Sequence, residues 1–259
     1  MVRCMPSVLR ERPAMGRSNG AVAASRIAFQ GVEVRRANRH LLSIPALGLD
    51  AQRIGVIGDN GSGKSTLLRL INGLLLPTSG RIVVAGFETA RHRKELPTHV
   101  GFVFQNPDHQ LIFPTVGEEI AFGLTERGMP ARQARHQALA LLEQHGCTGW
   151  IDRNVNELSG GQKQLVCILA VLATEPSILL MDEPFSSLDL PTRLALSRKI
   201  MNLPQQIVMA SHDLELLAQF DRVIWLDAGR IRQDGSPADV LSAYRAHAAM
   251  AAEVDLIIA

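Results

Sequence analysis

The run Gly58-Asp59-Asn60-Gly61-Ser62-Gly63-Lys64-Ser65-Thr66 lies between a β-like segment, Arg53 to Ile57, and a helix-like one, Thr66 to Leu74. A polyphosphate has to be wrapped by backbone N–H groups with no side chain in the way, and Gly58, Gly61 and Gly63 permit that wrap because they lack Cβ. The following helix aims the positive end of its dipole at the same oxygens. Asp59, Asn60, Gly61, Ser62, Gly63, Lys64, Ser65 and Thr66 are therefore the expected contacts of a nucleoside triphosphate. Lys64 supplies a point charge for the β- and γ-phosphates, and the Ser65 hydroxyl is a ligand for Mg²⁺.

Such a loop needs a carboxylate for the metal and a group that orients water. Ile178-Leu179-Leu180-Met181-Asp182-Glu183-Pro184 offers both. The apolar run reads as a strand buried on both faces of a parallel sheet, which puts Asp182 at its carboxyl end beside the phosphate loop. Asp182 is the expected Mg²⁺ residue and Glu183 the expected base or water-positioning carboxylate. Leu158-Ser159-Gly160-Gly161-Gln162-Lys163 precedes the helical run Gln164 to Ala173. Ser159 and Gln162 have capping-box spacing, so the segment reads as a capped helix start. It also reads as a second anion site. One γ-phosphate is already claimed by Lys64, so a second such site points to ATP held between two chains.

With Gln105, Ser187-Leu188-Asp189 and His212 added, this ordered set resembles the ATPase subunits of ATP-binding cassette (ABC) transporters, over roughly Arg26 to Ala243. The resemblance implies an α/β fold of the P-loop NTPase kind, with a mixed core sheet, a β-rich lobe and an inserted helical lobe. It implies ATP and Mg²⁺ as cofactors and a second ATPase copy, whose Ser159, Gly160, Gly161 and Gln162 complete the ATP site of the first. By position, Gln105 would sense Mg²⁺ and attacking water, Asp189 would lie on the dimer seam and His212 would contact the γ-phosphate. The family places an aromatic residue near the end of the first strand to stack on adenine. Arg36 stands there, so its guanidinium plane is the expected substitute, with His40 second for the same task.

A narrower resemblance follows Gln105. Asn106-Pro107-Asp108-His109-Gln110, then Leu111-Ile112-Phe113-Pro114, is similar to the ATPases of energy-coupling factor (ECF) importers. There the segment engages a transmembrane coupling subunit, which makes Asp108, Gln110 and Leu111 the expected coupling residues. The resemblance implies that coupling subunit and a substrate-capture membrane subunit as partners. It also implies a peripheral position on the cytoplasmic face of the plasma membrane. Within the group the chain is most similar to biotin-importer ATPases, with cobalt and nickel importers next. The alternatives are a soluble ABC ATPase outside transport and the ATPase of a conventional importer. Long coiled-coil insertions or tandem cassettes, typical of the soluble kind, are not evident in the sequence.

Composition fits an enzyme that acts on a membrane through other chains. A net charge of +2 and no dense basic stripe argue against nucleic acid as a partner. The longest uncharged apolar stretch, Leu165 to Thr174, is too short to span a bilayer. Cys4, Cys147 and Cys167 lack metal-ligand or paired spacing and read as reduced thiols. Residues 1–25 carry four arginines against one acid and no apolar core, so they read as a dispensable extension, with Met15 an alternative start. Residues 26–106 and 159–259 are expected to form the ATP-binding lobe and 107–158 the helical lobe. Ile27 to Val34, Leu41 to Ala46, Arg81 to Val84, Gln206 to Ala210 and Val223 to Leu226 read as strands, and Thr115 to Gly146 and Thr192 to Met201 as helical. An Ala228-Gly229 turn makes a hairpin with Arg230 to Gln233, and Ser236, Pro237 and Asp239 open a final helix.

Overall fold

The computed structural model describes residues 26–258 apart from Asn38 and Ser187, so the amino-terminal extension with Cys4 and Met15, and position 187, lie outside the described residues. Strands β1 (Ile27–Arg36) and β2 (Arg39–Leu49) pair antiparallel, bringing the buried Phe29, Val32, Val34, Leu42 and Ile44 together. Strand β3 (Arg53–Ile57) is buried at every residue and runs through the glycine loop into α1 (Lys64–Ile71). The chain then forms β4 (Ser79–Val84), β5 (Phe87–Glu88), α2 (Leu96–His99) and β6 (Val100–Val103). Helices α3 (Val116–Glu126), α4 (Ala131–Gln144) and α5 (Gly160–Ala173) follow. The remainder alternates β7 (Ile178–Asp182), α6 (Leu190–Met201), β8 (Gln206–Ala210), α7 (Leu214–Leu217), β9 (Arg222–Asp227), β10 (Arg230–Gly235) and α8 (Pro237–Ile258).

All of these strands belong to one sheet, in the order β5-β4-β1-β2-β10-β9-β3-β8-β7-β6. From β9 to β6 the pairings are parallel, and β1, β2, β4 and β5 pair antiparallel. The mixed sheet expected from the sequence is thus continuous. Strands β3, β7 and β8 are buried at every position, which explains why apolar residues run consecutively between their polar ends in place of alternation. Their carboxyl ends fall at a common edge, where open α/β sheets bind ligands.

Apolar packing divides into three clusters. One gathers β1, β2, β3, β4 and α1; a second gathers the opposite face of β7 and β8 with α6, β9 and α8; a third joins α3, α4 and one side of α5. Helix α5 serves two of them, with Ile168 and Leu172 in the second and Val166 and Leu169 in the third.

Boundaries differ from the sequence reading where local caps decide. Helix α1 spans Lys64–Ile71, so Leu74 lies beyond it and is 57% exposed. Helix α5 begins at Gly160 and not at Gln164, because the capping box closes around Ser159. The stretch from Thr115 to Gly146 divides where Gly128 takes φ +86° and Pro130 opens α4. Strand β5 and helices α2 and α7 are too short for periodicity to reveal.

At Gly101 on β6, an added Cβ would lie 2.2 Å from Val171 Cγ1 and 3.1 Å from Pro176 Cγ. Gly101→Ala is expected to lower stability by about 1–3 kcal/mol through overpacking of α5 against the sheet. Urea unfolding read as a midpoint shift at constant slope checks this.

Candidate functional site

The loop after β3 is shaped by close approach as much as by torsion. A Cβ on Gly58 would sit 2.1 Å from the Leu226 carbonyl oxygen and 2.6 Å from Ser62 Oγ. Only glycine lets β3 turn there, beside β9. Gly63 takes φ +108° and caps α1 with its backbone alone. A second support comes from the β9–β10 turn. Ala228 and Gly229 both have positive φ, the geometry that matches strand twist in a tight hairpin. Gly229 N–H donates to the Ser62 carbonyl at 3.1 Å, and its own carbonyl accepts from Ser43 N–H at 2.7 Å. The sequence reading saw this turn only as a hairpin; it also braces the phosphate loop.

Lys64 is nearly buried, and its ammonium donates to the Gly58 carbonyl at 2.7 Å and the Asp59 carbonyl at 3.1 Å. Burial pushes its pKa down, opposed by the charges of Glu183, Asp182 and Asp59. Ser65 Oγ donates to Asp182 Oδ1 at 3.0 Å. The first turn of α1 is thereby tied to the end of β7, as the sequence reading expected. The buried Ser62 Oγ has no partner.

Glu183 leaves β7 with φ +48°, a strained setting for a non-glycine residue. Its N–H donates to the Ala210 carbonyl at 2.9 Å, which anchors it across to β8. Its Oε2 accepts from His212 N–H at 3.3 Å, and Oε1 lies 3.3 Å from His212 Nε2. Oε1 is buried with no hydrogen bond, so this carboxylate oxygen is unsatisfied beside the cleft that Glu183 lines. Gln105 Nε2 donates to Ser186 Oγ at 3.4 Å.

A cleft of about 710 Å³ brings these groups together: Asn60, Gly61, Gly63, Lys64, Ser65, Thr66, Gln105, Asp182, Glu183 and His212 line it, with His40, Leu41 and Ser186. Arg36 does not line it. It lies at the exposed end of β1 opposite Arg39, and His40, which the sequence reading placed second, borders the cleft instead. His40 is hydrogen-bonded to Glu33, whose other oxygen accepts from Ser43 Oγ at 2.6 Å.

Ser159, Gly160, Gly161 and Gln162 do not line the cleft either. They form the start of α5, exposed at Ser159 and Gly160 and half-buried at Gly161 and Gln162, with Gln162 Oε1 accepting from Ser159 N–H at 3.0 Å. A Cβ on Gly161 would meet Thr192 Cγ2 at 2.3 Å, so the start of α6 packs directly against this turn. Asp189 caps α6, accepting from Thr192 N–H at 2.8 Å, and that bond lowers its pKa.

The segment after Gln105 is held by α5. Gln110 turns inward: its Oε1 accepts from Phe104 N–H and its Nε2 donates to the Cys167 carbonyl, each at 3.2 Å. Asp108 pairs with Lys163 Nζ at 2.6 Å, and Leu111 is half-buried against the helical cluster. Ile112, 67% exposed, is the large apolar residue this segment turns outward. Sequence reasoning did not single out Glu119, a buried carboxylate whose Oε2 accepts from Ile112 N–H at 2.8 Å and Phe113 N–H at 2.9 Å. Its only signal was an acid at an otherwise apolar position of α3. Cys147 and Cys167 are buried free thiols, and burial pushes the Cys167 pKa up to about 12.

Glu119→Ala is expected to leave both amides without their acceptor and to speed their hydrogen exchange by about tenfold or more. Exchange monitored by NMR at Ile112 and Phe113 checks this.

A family model described as ABC transporter matches residues 49–186. The biotin transport ATP-binding protein BioM of Rhodobacter capsulatus is 47% identical over 213 residues, covering 82% of this chain and 91% of that protein. The energy-coupling factor transporter ATP-binding protein EcfA1 of Halalkalibacterium halodurans is 42% identical over 192 residues, covering 72% and 69%. Among solved structures, cbiO1 from Clostridium perfringens, described as part of the ABC transporter complex cbiONQ, is similar with a TM-score of 0.75 and 28% identity, covering 84% of this chain and 91% of that one. A phosphate loop, an acidic strand end and a capped signature helix in this order, with relatives at this identity, place the chain in the ABC transporter family as one of its ATP-hydrolysing subunits.

Proposed function

We propose that the chain is the ATPase of an ECF-type importer and that two copies close on two ATP molecules to drive a membrane partner. The observation that carries this reading is the cleft itself, where Lys64, Ser65, Asp182 and Glu183 converge while the second anion site at Ser159–Gln162 lies outside it. Such a site is half of one, and a second copy supplies the other half.

Ser65 Oγ and Asp182 Oδ1 lie side by side and offer hard oxygen ligands, a donor set that fits Mg²⁺. Among the described residues no group of three or more His, Cys, Asp or Glu gathers around a metal, so phosphates and water would complete the shell. When bound, the ion would neutralise charge on the β- and γ-phosphates. Lys64 would turn its ammonium from the loop carbonyls to the same oxygens. The Glu183 carboxylate is suited to accept a proton from water as the water oxygen bonds the γ-phosphorus and the bond from that phosphorus to the bridging oxygen breaks. His212, beside Glu183, would hold the γ-phosphate in line, and Gln105 would link that event to the segment that follows it.

That segment leads to a docking surface. Phe113 and Phe122 pack with ring centroids 4.9 Å apart and border a groove of about 400 Å³ with Gly117, Ala121 and Ala131, with Ile112 projecting nearby. Among the described residues no helix is long and apolar enough to cross a membrane, so transport requires other chains. A transmembrane coupling subunit is the proposed occupant, together with a substrate-capture membrane subunit, which places the ATPase on the cytoplasmic face. The sequence likeness to BioM makes biotin the proposed cargo, ahead of cobalt or nickel.

Glu183→Gln is expected to reduce kcat for ATP hydrolysis by about 10²–10⁴-fold while ATP binding persists, read by phosphate release and calorimetry. Affinity purification from the native membrane is expected to recover a transmembrane coupling protein and a small capture protein whose ligand identifies the cargo. Recovery of soluble partners alone would sink the importer reading.

A further inference from the structure

The phosphate loop carries an aspartate beside its first glycine, a negative charge in a loop built to wrap anions. Charges of like sign at this range oppose binding. In the structure the two ends of Asp59 have separate tasks. Its carbonyl accepts from Lys64 Nζ and from Ser62 N–H, each at 3.1 Å. Its carboxylate Oδ1 accepts instead from the hydroxyl of Tyr244, 3.1 Å away on α8.

Tyr244 is itself held in place. Its ring meets Trp225 edge to face, with centroids 5.3 Å apart and planes at 82°. Trp225 is 4% exposed on β9, covered by the Arg232 guanidinium at 4.3 Å and the His247 ring at 5.2 Å. The carboxylate therefore meets a fixed donor and not a mobile one.

We propose that Tyr244 is a positioning residue for the phosphate loop: it pins the Asp59 carboxylate to α8, away from the phosphates and from the Lys64 ammonium. Released, that carboxylate would be free to move toward the Lys64 ammonium, on which its charge already acts. Either a pairing with Lys64 or an approach to the phosphates would weaken nucleotide binding. Burial and Asp59 together push the Tyr244 pKa up to about 12, so the hydroxyl stays a donor near neutral pH. The proposal rests on the reading of the cleft as an ATP site.

Tyr244→Phe keeps the ring against Trp225 and removes only the hydroxyl. In the full chain it is expected to raise the Kd and KM for ATP about three- to tenfold, with kcat and thermal midpoint unchanged. Adding Asp59→Asn to Tyr244→Phe removes the charge that the hydroxyl restrained and is expected to bring the Kd back toward that of the unaltered chain. An unchanged Kd in Tyr244→Phe would overturn the proposal, as would a weakening that Asp59→Asn leaves in place, because a packing defect does not depend on that charge. Failure of the unaltered chain to bind ATP would overturn the reading of the site and the proposal with it.

Discussion

The site depends on β3 being held between two parallel neighbours with no residue left in solvent. Its pairing with β8 on one side and β9 on the other sets where the phosphate loop starts and what surrounds it. Strand β8, paired in turn with β7, places Asp182 and His212 at the same edge. Strand β9 brings the hairpin turn at Gly229 against Ser62. Slipping a strand buried on both faces would strand polar loop residues among apolar side chains, so register is strongly specified. Gly58, wedged against the Leu226 carbonyl, adds a steric limit to the same arrangement.

Helix α5 carries that order outward. Ile168 and Leu172 face the core beside β7, while Val166 and Leu169 face α3 and α4. A helix apolar on most of its circumference has to be covered on most of it, and the two clusters provide that cover. The segment following Gln105 rides on the same helix. Gln164 Nε2 donates to the Phe104 carbonyl, Gln110 bridges Phe104 N–H to the Cys167 carbonyl, and Lys163 meets Asp108. The ion pair is solvent-facing at Asp108 and contributes little by itself; the amides, which satisfy part-buried backbone groups, are the firmer ties. Displacing the segment after Gln105 therefore pulls on the helix whose first turn is closed by Ser159 and Gln162.

The chemistry was legible in the sequence wherever a short local pattern sufficed. Ser159 and Gln162 form the capping box their spacing announces, and Ala228 and Gly229 adopt the left-handed turn their position implies. Asp182 ends a strand buried throughout, as the apolar run before it requires. Other positions were hidden because their partners are distant in the chain. Tyr244 and Asp59 are 185 residues apart, and nothing in either neighbourhood points to the other. Gln110, singled out as a contact for a partner, turns its side chain inward to Phe104 N–H and the Cys167 carbonyl, the second of them on α5.

By itself the sequence determined the phosphate loop, the acidic strand end and the capped signature helix, since each depends on residue type within a few positions. It also determined the parallel core, through apolar runs too continuous for a half-exposed strand. Only the tertiary structure decided that His40 and not Arg36 borders the cleft, that Ile112 is the large apolar side chain exposed in the segment after Gln105 and that α8 reaches the phosphate loop. The physical reason is the same in each case. Which way a side chain points is settled by the hydrogen-bond partners and packing that the fold delivers from elsewhere in the chain.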